Sequence, residues 1–154
     1  MSPTAASSLV IRAGVYEEVE KIKAVAKTHK YTKHFSHPAY CNRSRFEAGQ
    51  VIVAVIGDEI VGFCSVGIKT SKHETEIDII GVDEGRRGYG IGAALIDYLI
   101  DHQPNPVIML SVQTDNTRAI QFYERYGFKR RHTMMVAGTP VFRMRLVCKK
   151  GVLY

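Results

Sequence analysis

The sequence has no tryptophan and only three cysteines, Cys41, Cys64 and Cys148, which are far apart and form no C-x-x-C pair. An odd number of scattered cysteines argues against a disulfide framework and against a cysteine metal site, and it fits a reducing compartment. The sequence also lacks an apolar run of the ~20 residues that a membrane helix needs, and it lacks the basic start and apolar core of a signal peptide. We therefore expect a soluble, cytoplasmic protein without a membrane partner.

Blocks of like charge and low-complexity runs are missing as well, so disorder is not expected beyond the ends of the chain. A length of 154 residues with 45% hydrophobic and 23% charged residues fits one domain. We expect residues 1–7 to be a loose tail and residues 8–154 to form that single domain. Acidic residues are the minority, 15 against 21 Lys and Arg, and the formal charge of +6 favours polyanionic partners such as nucleotides or nucleic acid.

Hydrophobic periodicity predicts a mixture of strands and helices, and hence an α/β (α+β) fold. The predicted order is strand, helices, three strands, helix, strand, helix and two strands. Thr28 to Phe46 is rich in aromatic residues and histidine, and no firm secondary structure follows from its pattern. Its histidines, His29, His34 and His37, have no matching acid or cysteine cluster, so we expect surface residues and no metal site.

The most informative stretch is Glu74 to Leu95, which combines a strand, a glycine-rich turn and the start of a helix. Period-2 alternation places Glu74, Glu76 and Asp78 on one face of the strand. In the turn, glycines allow backbone N–H groups to approach a ligand, and a helix N-terminus adds its positive dipole end. This combination, with Arg86 and Arg87 beside it, predicts an anion site suited to phosphate.

Two known nucleotide-binding loops compete for this pattern. The G-x-x-x-x-G-K-[ST] loop does not fit, because Gly90 is followed by Ile91 and Gly92. The dinucleotide fingerprint G-x-G-x-x-A is matched from Gly88 to Ala93, with Asp115 as a candidate ribose-binding acid. A doubly wound sheet, however, needs further strand–helix units, and the chain after residue 127 offers only a β-hairpin.

Two ordered motifs resemble the GCN5-related N-acetyltransferase (GNAT) superfamily. The residues from Arg87 to Gly92 match its Q/R-x-x-G-x-G/A acetyl-coenzyme A motif. Its N-x-x-A-x-x-x-Y-x-x-x-G-F pattern is matched by Asn116, Ala119, Tyr123, Gly127 and Phe128. The resemblance covers Ser8 to about Lys149. It implies a mixed central sheet of about six to seven strands and about four helices, with a splayed cofactor cleft between the strands near 75–82 and 107–112.

The resemblance also implies acetyl-coenzyme A (acetyl-CoA) as cofactor. The loop residues expected to hold its pyrophosphate are Arg87, Gly88, Tyr89, Gly90, Ile91 and Gly92. The strand residues expected to line its pantetheine arm are Ile80, Gly81 and Val82, with the Val82 amide facing the thioester carbonyl to stabilise the oxyanion. Gly81 suits a bulge at that opening. Asn116 joins the cofactor-binding set, although a helix cap explains this residue equally well.

For catalysis, Tyr123 resembles the tyrosine that family members use to protonate the departing thiolate. The alternative interpretation is that Tyr123 is only a packed aromatic side chain. Glu76 lies where the histone-acetylating branch places its general base, and Asp78 on the same strand face is the competitor. Carboxylates on a strand face are also commonly solvated and need no catalytic role.

The resemblance thus implies an acetyl-CoA-dependent N-acetyltransferase that transfers acetyl directly to an amine in a ternary complex. The alternative is a non-catalytic GNAT module that binds acyl-CoA or contacts nucleic acid. The acceptor stays open between a small molecule, a protein amine and an RNA-linked amine, and a nucleic-acid partner is not favoured. We interpret the cations of the last two strands as a solvated face, and edge strands there could pair in a homodimer. Those cations are Lys129, Arg130, Arg131, Arg143 and Arg145.

Overall fold

The computed structural model describes residues 8–148; the predicted tail, residues 1–7, and the last six residues lie outside the described part. Within residues 8–148 the strands are β1 Leu9–Ala13, β2 Val51–Ile56, β3 Glu59–Lys69, β4 Glu74–Val82, β5 Val107–Gln113, β6 Lys129–Val136 and β7 Thr139–Val147. The α-helices of the same part are α1 Val19–Ala26, α2 Pro38–Cys41, α3 Arg43–Glu47, α4 Ile91–His102 and α5 Thr117–Tyr126.

The described strands form a seven-stranded mixed sheet in the order β1-β2-β3-β4-β5-β7-β6. β4 and β5 are parallel, whereas β1–β2, β2–β3, β5–β7 and β6–β7 are antiparallel. The expected mixed sheet and the predicted order of elements are confirmed. The segment from Thr28 to Phe46, which gave no firm prediction, contains the two shortest helices, α2 and α3, because their few residues carry too little periodicity to be recognised.

The ends of α4 and α5 follow from local chemistry. The side chain of Asn116 accepts a hydrogen bond from the Ala119 amide at 3.3 Å, so Asn116 is the N-cap that its position predicted. Gly127 ends α5 with a φ of 128°, which an L side chain rarely adopts. α4 ends at His102, just before Pro104. In the part of the chain that the structure describes, no helix is long and apolar enough to cross a membrane.

The described chain divides into two compact units. Unit 1 contains the described residues up to Val66 together with Ile79–Asp101. Its core is apolar: Ile22 and Ala26 point inward from α1, and the rings of Phe35 and Phe63 lie 5.0 Å apart between centroids. The apolar side chains of α1, which recur at helical spacing, therefore pack into this core.

Gly81 lies against this core, and the structure gives it a reason other than the expected bulge. A Cβ atom built on Gly81 would lie 2.8 Å from Cε1 of Phe63 and 3.2 Å from Cγ2 of Thr32. Such distances are shorter than ordinary contacts, so only glycine lets the Phe63 ring pack against this part of β4.

Unit 2 contains Gly67–Asp78 and the described chain from His102 onward. A buried polar cluster ties the start of β4 to the connection before β5. Thr75 donates to the side-chain oxygen of Gln103 at 2.5 Å, and the side chain of Asn105 donates to the Glu74 carbonyl at 2.8 Å. These bonds hold the beginnings of β4 and β5 side by side. The β4–β5 ladder itself runs from Glu74↔Val107 to Ile77↔Leu110 and ends there, although both strands continue.

Candidate active site

The glycine turn between β4 and α4 has the backbone of an anion site. Gly88 and Gly90 have φ angles of 89° and 77°, in the left-handed region that favours glycine. A Cβ at either position would meet nothing within 4 Å, so backbone conformation and not crowding requires glycine here. α4 begins at Ile91, and the first amides of a helix have no carbonyl partner within it. The turn therefore presents unpaired N–H donors at the positive end of a helix of 12 residues.

The side chain of Arg87, at the start of this turn, is held by a buried histidine. Nη2 of Arg87 lies 2.9 Å from Nδ1 of His29, whose residue is 9% exposed. Arg87 can only donate, so the ring nitrogen that faces it accepts. The Glu84 carboxylate lies 3.7 Å from the same ring nitrogen. The expectation that His29 is a surface residue is wrong: it is buried, and it contacts the arginine of the loop.

The neighbouring arginine has a different role. Nη2 of Arg86 lies 2.7 Å from Oε1 of Glu59, so a carboxylate already balances its charge. The ring of Tyr89 is 73% exposed. The two arginines of the turn therefore differ. Arg86 pairs with a carboxylate, whereas Arg87 pairs with no carboxylate of residues 8–148 and is oriented by the ring of His29.

The direction of the β4 amides can be derived from one hydrogen bond. The amide of Asp83 donates to the Val61 carbonyl of β3 at 2.7 Å. Successive amides of a strand point to opposite sides, so the amides of Val82 and Ile80 point away from β3. No ladder to β5 is formed beyond Ile77, so these two donors lie on a side of β4 that has no strand ladder in the described chain.

Tyr123 lies on α5 and is 7% exposed. Its ring packs edge-on against Phe128, with 5.6 Å between centroids, and tilted against Phe122 at 5.3 Å. Apolar packing therefore fixes the ring, as the interpretation of Tyr123 as a packed aromatic side chain predicts. Such packing leaves only the hydroxyl for polar contact. Asn116, seven positions earlier in the sequence, caps the same helix.

Glu76 is not a solvated carboxylate. It is 8% exposed, and both its oxygens accept from Arg143: Nη1 donates to Oε2 at 2.6 Å and Nη2 to Oε1 at 2.9 Å. Nζ of Lys69 lies 3.5 Å from Oε1. Nη1 of Arg143 also donates to Oγ of Ser111 at 2.9 Å. For Arg143, the interpretation as part of a solvated face is therefore wrong.

The charge of this cluster is reflected in the pKa of Arg143. The hydrogen bond to Glu76 raises the pKa of the guanidinium and outweighs the opposing effect of burial. The carboxylates of Glu74 and Asp78 raise the pKa further by Coulomb attraction. All three carboxylates of the β4 face thus act on one arginine, as the predicted alternation of the strand requires. Asp78, half-buried, is the next residue on this face after Glu76.

The predicted residues fall into the two units. Unit 1 holds the loop from Arg87 to Gly92 and the strand residues Ile80, Gly81 and Val82; unit 2 holds Glu76, Asp78, Asn116 and Tyr123. Among the described residues, no group of three or more His, Cys, Asp and Glu side chains could hold a metal ion.

Sequence reasoning missed the two contacts that orient charged groups in these sets. His29 and Arg87 are 58 positions apart, and Glu76 and Arg143 are 67 apart. Neither His29 nor Arg143 belongs to a recognisable motif. No signal in the sequence pairs either residue with its partner.

The chain is similar to known acetyltransferases. Residues 15–128 match the family model described as Acetyltransferase (GNAT) family. A 5-NmdU N-acetyltransferase of Pseudomonas phage PaMx11 is 34% identical over 121 residues, which cover 78% of this chain and 86% of that protein. The N-alpha-acetyltransferase RimI of Mycobacterium tuberculosis is 35% identical over 95 residues, covering 58% and 60%. The crystal structure of Ard1 from Thermoplasma volcanium superposes with a TM-score of 0.72 at 25% identity, covering 91% and 97%.

Proposed function

The chain belongs to the GNAT family and is an acetyl-CoA-dependent N-acetyltransferase, and we propose that it transfers acetyl directly to a bound amine in a ternary complex. The observation that carries this proposal is the turn from Arg87 to Gly92. It combines two glycines at positive φ, a helix start and an arginine anchored by His29. This is the donor set that a pyrophosphate requires.

The residues present fit the cofactor. Amides of Gly88 to Gly92 would bind the pyrophosphate, and nothing lies within 4 Å of a Cβ placed at Gly88 or Gly90, so a phosphate can approach the backbone closely. Ile80, Gly81 and Val82 would line the pantetheine arm. The outward amides of Ile80 and Val82 suit an extended ligand that carries its own amide groups, because such a ligand can bond to a strand edge as another strand does.

Bound acetyl-CoA supplies the acetyl group as a thioester. When it is bound, the amide of Val82 would donate to the thioester carbonyl and stabilise negative charge on its oxygen. The Tyr123 hydroxyl would supply the proton that the thiolate leaving group requires. The packing of the Tyr123 ring fixes where its hydroxyl points.

Of the two candidate bases, Glu76 has contacts that argue against this role. Both oxygens of Glu76 already accept charge-assisted hydrogen bonds from Arg143, and Lys69 is close to one of them. A carboxylate whose lone pairs are engaged in this way is a weak proton acceptor. We therefore assign Glu76 to holding Arg143 and Lys69, and Asp78, two residues along the same face, to freeing the amine of its proton, directly or through a water molecule.

The reaction is tested with the purified 154-residue chain, acetyl-CoA and a panel of amines, by following the release of free thiol. We expect amine-dependent release, and we expect Asp78→Asn to reduce kcat most at low pH, where the amine is protonated. Glu76→Gln should instead reduce the free energy of unfolding. Tight binding of acetyl-CoA without thiol release from any amine would contradict the proposal and support the non-catalytic module.

We also propose a reducing, cytoplasmic location. Cys41, Cys64 and Cys148 are all buried thiols. Sγ of Cys148 donates to the carbonyls of Asn105 and Pro106 at 3.5 and 3.2 Å, so this thiol serves local packing. Buried reduced cysteines are typical of proteins that work where disulfides do not persist.

A further inference from the structure

The two outer strands of unit 2 have one face that α5 covers and one that it does not. A Cβ on Gly127, at the end of α5, would lie 3.4 Å from Cδ1 of Leu146, so Leu146 points toward the helix. Side chains of a strand alternate, so Arg145 and Arg143 of β7 point to the opposite face. In the β6–β7 ladder Lys129 is paired with Arg145, and His132 with Arg143. Paired residues share a face, so Lys129 and His132 lie there too.

The cations of this hairpin differ in whether they have a carboxylate partner. Arg130 does: its Nε lies 3.0 Å from Oε2 of Glu124 on α5, and its Cζ lies 4.4 Å from the centroid of the Phe142 ring. Arg143 has Glu76. Lys129, Arg131 and Arg145 form no ion pair with any carboxylate of residues 8–148. We call Lys129, Arg131, His132 and Arg145 the basic edge.

The basic edge costs stability in the absence of a partner. Lys129 and Arg145 are directly opposite in the ladder, and like charges in that position repel. Arg131 has no ladder partner, because the register shifts between Arg130 and His132, and all of β6 is exposed. The same hairpin pairs Arg130 and Arg143 with carboxylates, so the charge of the basic edge stays available to anions from outside.

We propose that the basic edge binds the phosphate backbone of a nucleic acid that carries the acceptor amine. This inference rests on the proposed function, because it assigns the acceptor of that same reaction. β7 is two strands from β4 and β6 is three, so at about 4.8 Å per strand the cations lie on the order of 10–14 Å from the acidic face of β4. An acceptor that spans both would present its amine to Asp78 and its phosphates to the basic edge.

A nucleic acid strand fits better than a single phosphate group. The cations are spread over two strands and a bulge, and this spread suits the successive phosphates of a strand better than one phosphate group. The formal charge of +6 acts in the same direction, because a net positive protein attracts a polyanion at long range. The competing role is protection of the edge, since cations and bulges also prevent strand-to-strand pairing between copies. That role needs no ligand and predicts no nucleic-acid affinity.

The test measures binding of the full chain to fluorescein-labelled single strands of DNA and RNA, by anisotropy at several salt concentrations. The variant is Lys129→Gln/Arg145→Gln. The matched control, Lys27→Gln/Arg125→Gln, removes two exposed cations outside the basic edge. We expect the first pair to weaken binding about tenfold or more, with little effect of the control. The salt slope should fall by about 1.4, because each phosphate that the protein no longer neutralises accounts for about 0.7.

Two further measurements separate this inference from the proposed function. Acetyl-CoA affinity and thiol release with a small amine should be unchanged in Lys129→Gln/Arg145→Gln, and its melting temperature should be equal or higher because a like-charge pair is removed. If the wild-type protein releases thiol but binds no nucleic acid, this inference is wrong and the proposed function still holds. Equal weakening by the control pair, or a parallel loss of acetyl-CoA affinity, would also overturn it.

Discussion

The guanidinium of Arg143 holds both carboxylate oxygens of Glu76, with N–O distances of 2.6 and 2.9 Å. The two residues come from β7 and β4, and Ser111 of the intervening β5 accepts a third bond from the same guanidinium. One side chain thus ties three strands together on a single face. A two-point ion pair of this kind fixes orientation as well as charge.

Arg143→Gln should lower the free energy of unfolding by about 3 kcal/mol, because among residues 8–148 it leaves the buried Glu76 carboxylate with only Lys69 as an ion-pair partner. Urea denaturation measures this. Arg131→Gln, which removes an exposed arginine without an ion pair in the described chain, should change stability by less than about 0.5 kcal/mol. Equal stability of the two variants would mean that the Glu76 pair does not stabilise the fold.

Tyr123→Phe should reduce kcat about 100-fold and leave the KM for acetyl-CoA nearly unchanged, since it removes a proton donor and keeps the packed ring. Steady-state thiol release over the working pH range measures both parameters. Tyr126→Phe on the same helix is the control and should retain wild-type kcat. If both variants turn over at the wild-type rate, another group protonates the sulfur.

His29→Phe should raise the KM for acetyl-CoA about tenfold with a smaller effect on kcat. The phenyl ring fills the buried site but cannot accept from Arg87, so the guanidinium loses its orientation. His29→Gln, whose amide oxygen can accept, should recover part of the affinity. His34→Phe, which changes an exposed histidine of the same segment, is the control. A KM that responds equally to His29→Phe and His34→Phe would rule out this role.

Gly81→Ala should lower the free energy of unfolding by about 1–3 kcal/mol, because the new methyl group would lie 2.8 Å from the Phe63 ring and force it to move. Chemical denaturation measures this free energy for Gly81→Ala and for the control variant Gly85→Ala. A Cβ at Gly85 meets nothing within 4 Å, and that residue has no positive φ, so this substitution should be nearly neutral. A Gly81→Ala protein of wild-type stability would show that Phe63 has room to shift.

Glu18→Gln should make stability less dependent on pH in acid. Hydrogen bonding to Arg12, at 2.6 Å, is the main cause that lowers the pKa of Glu18 from its ordinary value of 4.5, with the Val15 amide contributing. Because the pKa of Glu18 is lower in the folded protein, its charged form stabilises the fold at pH values above the ordinary pKa. This contribution is lost as the pH falls through the lowered pKa. Wild type should exceed Glu18→Gln by up to about 1 kcal/mol near pH 7, a value limited by the exposure of Arg12.

Urea titrations of both proteins from neutral to acid pH measure this difference, which should shrink and then vanish below the lowered pKa. Glu17→Gln, at the exposed neighbouring position, should show no such convergence. A difference between wild type and Glu18→Gln that stays constant through acid pH would contradict the linkage.

The hairpin of β6 and β7 shows where sequence patterns stop being informative. Alternation alone predicts that some of its five cations are solvated, but the register shift between Arg130 and His132 decides which ones. A shift of one residue exchanges the two faces of a strand. Arg130 lies before the shift and reaches Glu124 on α5, whereas Arg131 lies at the shift and has no ladder partner. No feature of the sequence marks the shift in advance.

The sequence by itself determined the order of the elements, the glycine turn from Arg87 to Gly92, the Asn116 cap and the Gly127 stop, because each depends on residues within a few positions of one another. Only the tertiary structure decided that His29 holds Arg87 and that Arg143 holds Glu76. Those pairs are 58 and 67 positions apart, and strand order and register, not local spacing, bring such side chains together. Motifs could therefore be identified from the sequence, whereas the partners of their charged groups could not.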